Sequence, residues 1–142
     1  MGLSAIYGMY AGVYHWFPKM YGRMMNKGLG YLHFWGTFIC AYGVFFPMHF
    51  LGLAGLPRRY YQNSSFPMFD GLTDINAVIT FFALAGAIFQ FIFIFNFFYS
   101  IFKGTKASKN PWQANTLEWT TPVERIHGNW PGELPTVHRW AY

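Results

Sequence analysis

Two long stretches of this chain contain no Asp, Glu, Lys or Arg, and they restrict its fold more than any other feature. One runs over residues 28–57 and the other over residues 75–102, which are thirty and twenty-eight residues long. About 20 apolar residues in a helix are enough to cross the hydrocarbon core of a membrane, which is about 30 Å thick. Each stretch is therefore predicted to form a membrane-spanning helix.

The composition supports a membrane protein and excludes several other classes. Apolar residues make up 54% of the 142 residues and charged residues only 11%, whereas soluble domains have about 25% charged residues. So apolar a chain is not intrinsically disordered, and the single cysteine, Cys40, excludes a disulfide-stapled fold. The net charge of +5 comes from Lys and Arg residues that stand singly or in pairs, so no nucleic-acid partner is predicted.

The first segment, residues 1–17, is also free of charged residues, but it would reach only about 25 Å as a helix. It is not a signal peptide, because no basic residue precedes the apolar ones and bulky aromatic residues stand at its end. It also lacks a capping residue at its start. We expect the second half of a spanning helix here, in a chain that is a piece of a longer protein.

The loops predict how the helices are oriented in the membrane. Two groups of basic residues flank the predicted helices, namely Lys19, Arg23 and Lys27 before the second helix and Lys103, Lys106 and Lys109 after the third. The positive-inside rule places both groups on the cytoplasmic or matrix side. The loop between the second and third helices carries two Arg and two Asp, which balance, so it is expected on the outer side.

The final segment, residues 104–142, differs in kind from the rest of the chain. It holds four prolines and four of the six tryptophans, Trp112, Trp119, Trp130 and Trp140, and it has no helical or alternating apolar period. Exposed indole rings indicate a docking surface. The sequence thus predicts an all-α membrane segment over residues 1–103, with helices at about 1–17, 28–54 and 74–102, and an extended cytoplasmic tail over residues 104–142.

Few residues in the chain suggest catalysis. There is no Cys-x-x-Cys, no His-Glu-x-x-His and no glycine-rich phosphate loop. His33 and His49 both fall in the second predicted helix, but they are sixteen positions apart, or about 24 Å along a helix, so they cannot bind one metal together. Each is either a histidine bonded to a neighbouring helix or to water, or a member of a polar, proton-carrying path.

Two adjacent arginines, Arg58 and Arg59, follow Pro57 at the predicted outer end of the second helix. A guanidinium group pairs well with carboxylates through two parallel hydrogen bonds. A long basic side chain at a helix end can equally reach the phosphates of lipids. The spacing of the residues leaves both interpretations open.

Three motifs, taken together, resemble a known family. They are HWFPKMYG at residues 15–22, FFPMHFLGLAGLPRRYY at residues 45–61 and NTLEWTTP at residues 115–122. In this order and spacing they resemble the C-terminal quarter of cytochrome c oxidase subunit I, the catalytic subunit of the heme-copper oxidases. The resemblance covers nearly the whole chain. It implies the end of the tenth helix, then the eleventh and twelfth helices, of a twelve-helix core that holds heme a, heme a3 and copper.

The resemblance also implies roles for particular residues. The iron and copper ligands of the family lie before this chain begins, so no catalytic residue and no metal ligand is expected here. Arg58 and Arg59 match the arginines that bind the heme propionates, which favours the carboxylate interpretation. Many family members have Gln at the position of Met48, and this departure argues against a polar path past heme a there. Heme a packs along the eleventh helix in the family, and four residues at helical spacing are expected to line it: Thr37, Ala41, Phe45 and Met48.

The expected function is that of a portion of a terminal respiratory oxidase in a bacterial or mitochondrial inner membrane. The whole enzyme would oxidise cytochrome c, reduce oxygen to water and pump protons. Its partners would be the remainder of subunit I, subunits II and III, cytochrome c or another cytochrome donor, and membrane lipid. The isolated chain is expected to be inactive. Two alternatives are a small non-catalytic accessory subunit and a fragment of a transporter or channel, the latter disfavoured because no predicted span carries a charge.

Overall fold

The described part of the chain is helical. A computed structural model describes residues 2–57 and 67–121. Within these residues there is no β-strand, and one isolated antiparallel bridge joins Arg23 and Lys106. The helices are α1 (Gly2–Tyr21), α2 (Lys27–Leu53) and α3 (Thr73–Lys103), with short 3₁₀ helices at Pro67–Leu72 and Leu117–Trp119. The all-helical class expected from the sequence agrees with this architecture.

Two helical segments among the described residues are long and apolar enough to cross a membrane. They are α2 and the continuous segment Pro67–Lys103, which contains α3. Compared with the predicted bounds, α2 begins and ends one residue earlier, and α3 is one residue longer at each end. The spanning role of α1 stays a prediction.

The helix α1 ends four residues beyond the predicted end at residue 17. The helix continues through Pro18 to Tyr21, although Pro18 has no N–H to donate to the preceding turn. It ends at Gly22, which has a φ of 66° and whose N–H donates to the carbonyl of Pro18 at 2.8 Å. Glycine takes this left-handed conformation without steric cost and commonly ends helices in this way.

The chain divides into two compact units. One consists of Met1–Asn26 together with Phe97–Tyr142, and the other is Lys27–Asn96. The first unit therefore contains α1, the last residues of α3 and the tail, while the second contains α2 and most of α3. For brevity they are called the tail unit and the helix-pair unit.

In the helix-pair unit, small residues allow α2 and α3 to approach each other closely. A Cβ atom added to Gly36 would lie 2.2 Å from the ring of Phe89, and one added to Gly43 would lie 2.5 Å from the ring of Phe82. The two glycines are seven residues apart on α2, and the two phenylalanines are seven residues apart on α3 in the reverse order. The two helices therefore run in opposite directions. Close approach of this kind is how helices associate in lipid, where apolar side chains gain little by leaving their surroundings.

In the tail unit, Phe17 is completely buried. Its ring lies 5.5 Å from that of Phe97 and 4.9 Å from that of Tyr21, measured between ring centroids. Gly104 allows the tail to turn at the end of α3, because a Cβ atom there would lie 2.4 Å from the carbonyl oxygen of Ser100 and 2.6 Å from that of Met24. The tail after Gly104 then runs beside the turn that follows α1.

Candidate functional site

The four residues expected to line a heme share one stretch of α2, but the structure gives them different surroundings. Thr37 is buried, and its Oγ1 accepts a hydrogen bond from Nε2 of Gln90 at 3.1 Å. Ala41 is half-buried, whereas Phe45 and Met48 are each 49% exposed. Thr37 is therefore part of the contact with α3, and Phe45 and Met48 are the two that remain exposed.

A longer row of aromatic residues runs along the exposed side of α2. Its members are Phe34, Phe38, Tyr42, Phe46 and Phe50. The ring centroids of Phe34 and Phe38 are 6.3 Å apart, those of Tyr42 and Phe46 are 5.2 Å apart, and those of Phe46 and Phe50 are 5.3 Å apart. Residues four positions apart are neighbours on a helix surface. The sequence analysis did not identify this row, although the regular spacing of four would have revealed it.

A buried polar group of side chains links α2 to α3. His33 is only 2% exposed, its ring centroid lies 5.1 Å from that of Phe93, and its side chain is hydrogen-bonded to Gln90. The amide of Gln90 also donates to Thr37 and, at 3.3 Å, to the carbonyl of Gly86. These bonds support the interpretation of His33 as a histidine bonded to a neighbouring helix. Gln90 was not singled out from the sequence, although an amide within a long apolar stretch was the available signal.

The end of α2 lies just before the arginine pair. The N–H of Leu56 donates to the carbonyl of Leu51 at 3.0 Å, and the N–H of Gly55 donates to that of Gly52 at 3.1 Å. Gly55 has a φ of 84°. This is the Schellman arrangement that commonly ends a helix. Arg58 and Arg59 themselves lie outside the described residues, as do Trp130 and Trp140 of the tail.

The histidines of the described segments do not converge. His33 lies against α3, whereas Nδ1 of His49 donates to the carbonyl of Phe45 within α2 at 2.7 Å. His15 belongs to the tail unit. Within residues 2–57 and 67–121, no three His, Cys, Asp or Glu side chains are close enough to hold a metal ion.

In the tail unit, residues 112–121 are fastened to the last two turns of α1. The indole Nε1 of Trp112 donates to the carbonyl of His15 at 3.0 Å, and the two rings stack with centroids 5.8 Å apart. The indole of Trp16 donates to the carboxylate of Glu118. The ammonium group of Lys19 donates to the carbonyl of Glu118 and lies 5.5 Å above the ring of Trp119. These contacts are called the tail clamp.

The fold and these contacts define a class of protein: an α-helical membrane protein with a row of exposed aromatic residues along one of its spanning helices. The chain belongs to the family described as Cytochrome C and Quinol oxidase polypeptide I, whose profile matches residues 1–85. The resemblance inferred from the three sequence motifs is thereby confirmed.

Individual relatives agree with this assignment. The chain is 47% identical, over its whole length, to the alternative cytochrome c oxidase subunit 1 of Bradyrhizobium diazoefficiens, of which it covers 24%. It is 42% identical over 98% of its length to the cytochrome c oxidase subunit 1 of Thermostichus vulcanus, of which it also covers 24%. The corresponding protein of Synechocystis is 44% identical over 92% of the chain, which covers 23% of it. The chain thus spans about a quarter of the length of these relatives.

Proposed function

We propose that this chain is part of the catalytic subunit of a terminal respiratory oxidase, which oxidises cytochrome c, reduces oxygen to water and moves protons outward. The observation that carries the proposal is the similarity of the whole chain to subunit 1 of cytochrome c oxidases. Membership of the family argues against the accessory-subunit and channel alternatives. The complete subunit would be an integral protein of a respiratory membrane, assembled with oxidase subunits II and III.

Heme a, heme a3 and copper would supply the electron-transfer and oxygen chemistry of the complete subunit. In this chain, Phe45 and Met48 would contact one side of the heme a ring, since both are accessible on α2. Ala41 is half-buried on the same stretch of α2 and would lie beside the ring with them. Thr37 would act indirectly, because its hydroxyl is already engaged by Gln90. The described residues would therefore exclude water from the ring rather than take part in ligand exchange.

Arg58 and Arg59 would bind the heme propionates. A guanidinium group next to a carboxylate favours the ionised form of the carboxylate and can hold both of its oxygens. The ordered end of α2 at Gly55 supports this role, because only two residues separate Gly55 from Arg58. Fixed positive charge beside a heme also favours the reduced, more negative state of its ring.

A redox titration of the complete oxidase tests the arginine pair. Arg58→Gln and Arg59→Gln should each lower the midpoint potential of a heme, because a positive charge is lost. Arg58→Lys and Arg59→Lys should have a smaller effect, since the charge stays while the planar fork is lost. Lys109→Gln removes one charge from the exposed tail and serves as the control. Unchanged potentials in both Gln variants, with normal heme content, would leave lipid phosphate as the partner of the pair.

The tail is proposed to lie on the cytoplasmic or matrix side of the membrane. This assignment depends on the basic residues after α1 and α3, compared with the balanced loop between α2 and α3. Protease added to sealed vesicles of each orientation should cleave the tail only when the cytoplasmic side is exposed. Cleavage from the outer side would reverse the orientation of all the helices.

A further inference from the structure

Two basic segments that are far apart in the sequence lie side by side in the tail unit. The N–H of Met24 donates to the carbonyl of Thr105 at 2.8 Å, and the N–H of Ala107 donates to the carbonyl of Gly22 at 2.9 Å. Between these two bonds, Arg23 and Lys106 occupy opposite positions of the antiparallel bridge. The turn after α1 and the start of the tail are therefore held in a fixed register.

This register places like charges next to each other. Arg23 faces Lys106 across the bridge, and its guanidinium donates to the carbonyl of Gly104 at 2.7 Å, beside Lys103 at the end of α3. Like charges on opposite residues destabilise such a pair. Glu118 is the one carboxylate among the described residues of this unit, and it bonds to Trp16 instead. Arg23, Lys103 and Lys106 are called the cation platform.

Exposed aromatic residues stand next to members of the cation platform in the sequence. Lys103 directly follows Phe102, which is 73% exposed, and Arg23 stands two positions after Tyr21, which is also exposed. The segment that ends at Lys103 is long and apolar enough to span a membrane. An aromatic ring and a cation at the end of a spanning helix are typical of the level at which lipid headgroups meet the hydrocarbon core.

We propose that the cation platform binds the phosphate of an anionic phospholipid headgroup. The phosphate would neutralise the repulsion between Arg23 and Lys106, and the ammonium of Lys103 would add a third positive charge. The acyl chains would lie against the apolar surface that includes Phe102. A free phosphate ion could pair with the positive charges but could not cover the apolar surface. A lipid does both, so a lipid is the expected occupant. The guanidinium of Arg23 is already oriented by its bond to Gly104, so little ordering is needed on binding.

The test uses the purified full-length protein that contains this chain, in detergent, titrated with phosphatidylglycerol and followed by native mass spectrometry. Lys106→Gln should weaken binding of the tightest lipid about fivefold, which is the effect of one basic residue near an anionic membrane surface. Arg23→Lys keeps the charge and should bind nearly as well as the original protein. Lys109→Gln removes the same charge from the same tail, beyond the residues that pair with the turn, and should change binding less than twofold.

Three outcomes would overturn the proposal. Equal losses in the Lys106→Gln and Lys109→Gln variants would show a diffuse charge effect rather than a site. Equal binding of phosphatidylcholine would remove the requirement for an anionic lipid. Displacement of the bound lipid by millimolar inorganic phosphate would make the site one for free phosphate. Hydrogen exchange at residues 22–26 in each variant checks that the turn still forms, so that a loss of binding is not a loss of structure.

Discussion

The helix-pair unit and the tail unit are held together by different interactions. In the helix-pair unit, glycines face aromatic rings, and the amide of Gln90 links buried polar groups. In the tail unit, indole N–H groups, an ammonium group and backbone bonds fasten the tail to α1 and to the turn after it. Apolar side chains in lipid gain no hydrophobic free energy by associating, so the association of helices there depends on close packing. Where water is present, exposed polar bonds form readily but each contributes little.

The largest effect is expected from Gly104→Ala, in the tail unit. The added Cβ would meet two backbone carbonyl oxygens, those of Ser100 and Met24, and backbone cannot rotate away as a side chain can. Overpacking of this kind costs about 3 kcal/mol. Thermal unfolding of the purified protein should show a clear loss of stability. Gly8→Ala, where a Cβ would meet nothing within 4 Å, is the control, and an equal effect of the two changes would contradict the close approach at Gly104.

The next effect is expected from Gly36→Ala, in the helix-pair unit. The added Cβ would meet the ring of Phe89 at 2.2 Å, but this ring belongs to a side chain that can move, so the cost should be about 1–2 kcal/mol. Combining Gly36→Ala with Phe89→Leu should recover part of the stability lost by the first change alone. Strict additivity of the two changes would show that the residues do not interact.

A smaller effect is expected from Gln90→Leu, which keeps the size of the side chain but removes the bonds to His33, Thr37 and Gly86. Hydrogen bonds between helices in a membrane contribute about 0.6 kcal/mol on average, so the loss should be of that order. Thr37→Val should cost a similar amount, and the double variant should cost less than the sum. Thr80→Val is the matched control, because the hydroxyl of Thr80 bonds only to the carbonyl of Asn76 in its own helix.

The smallest effect on overall stability is expected from Glu118→Gln in the tail clamp. The amide oxygen can still accept the bond from Trp16, and the bond from Lys19 goes to the backbone carbonyl of Glu118, which the change leaves in place. One exposed hydrogen bond to a charged acceptor is therefore weakened, and protease sensitivity of the tail should rise slightly in Glu118→Gln and more in Glu118→Ala, which removes the acceptor. No change in either variant would show that the bond between Trp16 and Glu118 does not help to fasten the tail.

Most of the helical architecture could be predicted from the sequence. The charge-free stretches around residues 28–57 and 75–102 locate α2 and α3, since a spanning helix must satisfy its own backbone and exclude charge. The motifs near His15, Phe45 and Glu118 indicate the oxidase family. The end of α1 was predicted at residue 17 from the extent of the charge-free segment, whereas the helix continues to Tyr21 and ends at Gly22.

The contacts between elements were decided only by the tertiary structure. Thr37 and Phe45 stand on the same stretch of α2, but the position of Gln90 on α3 buries one and leaves the other accessible. Arg23 and Lys106 are eighty-three positions apart in the sequence and meet only because the tail turns at Gly104. Composition and the charge-free stretches indicate which residues lie in the lipid. Which side chains meet depends on the register between segments, and that is set by close packing and by bonds between residues distant in the chain.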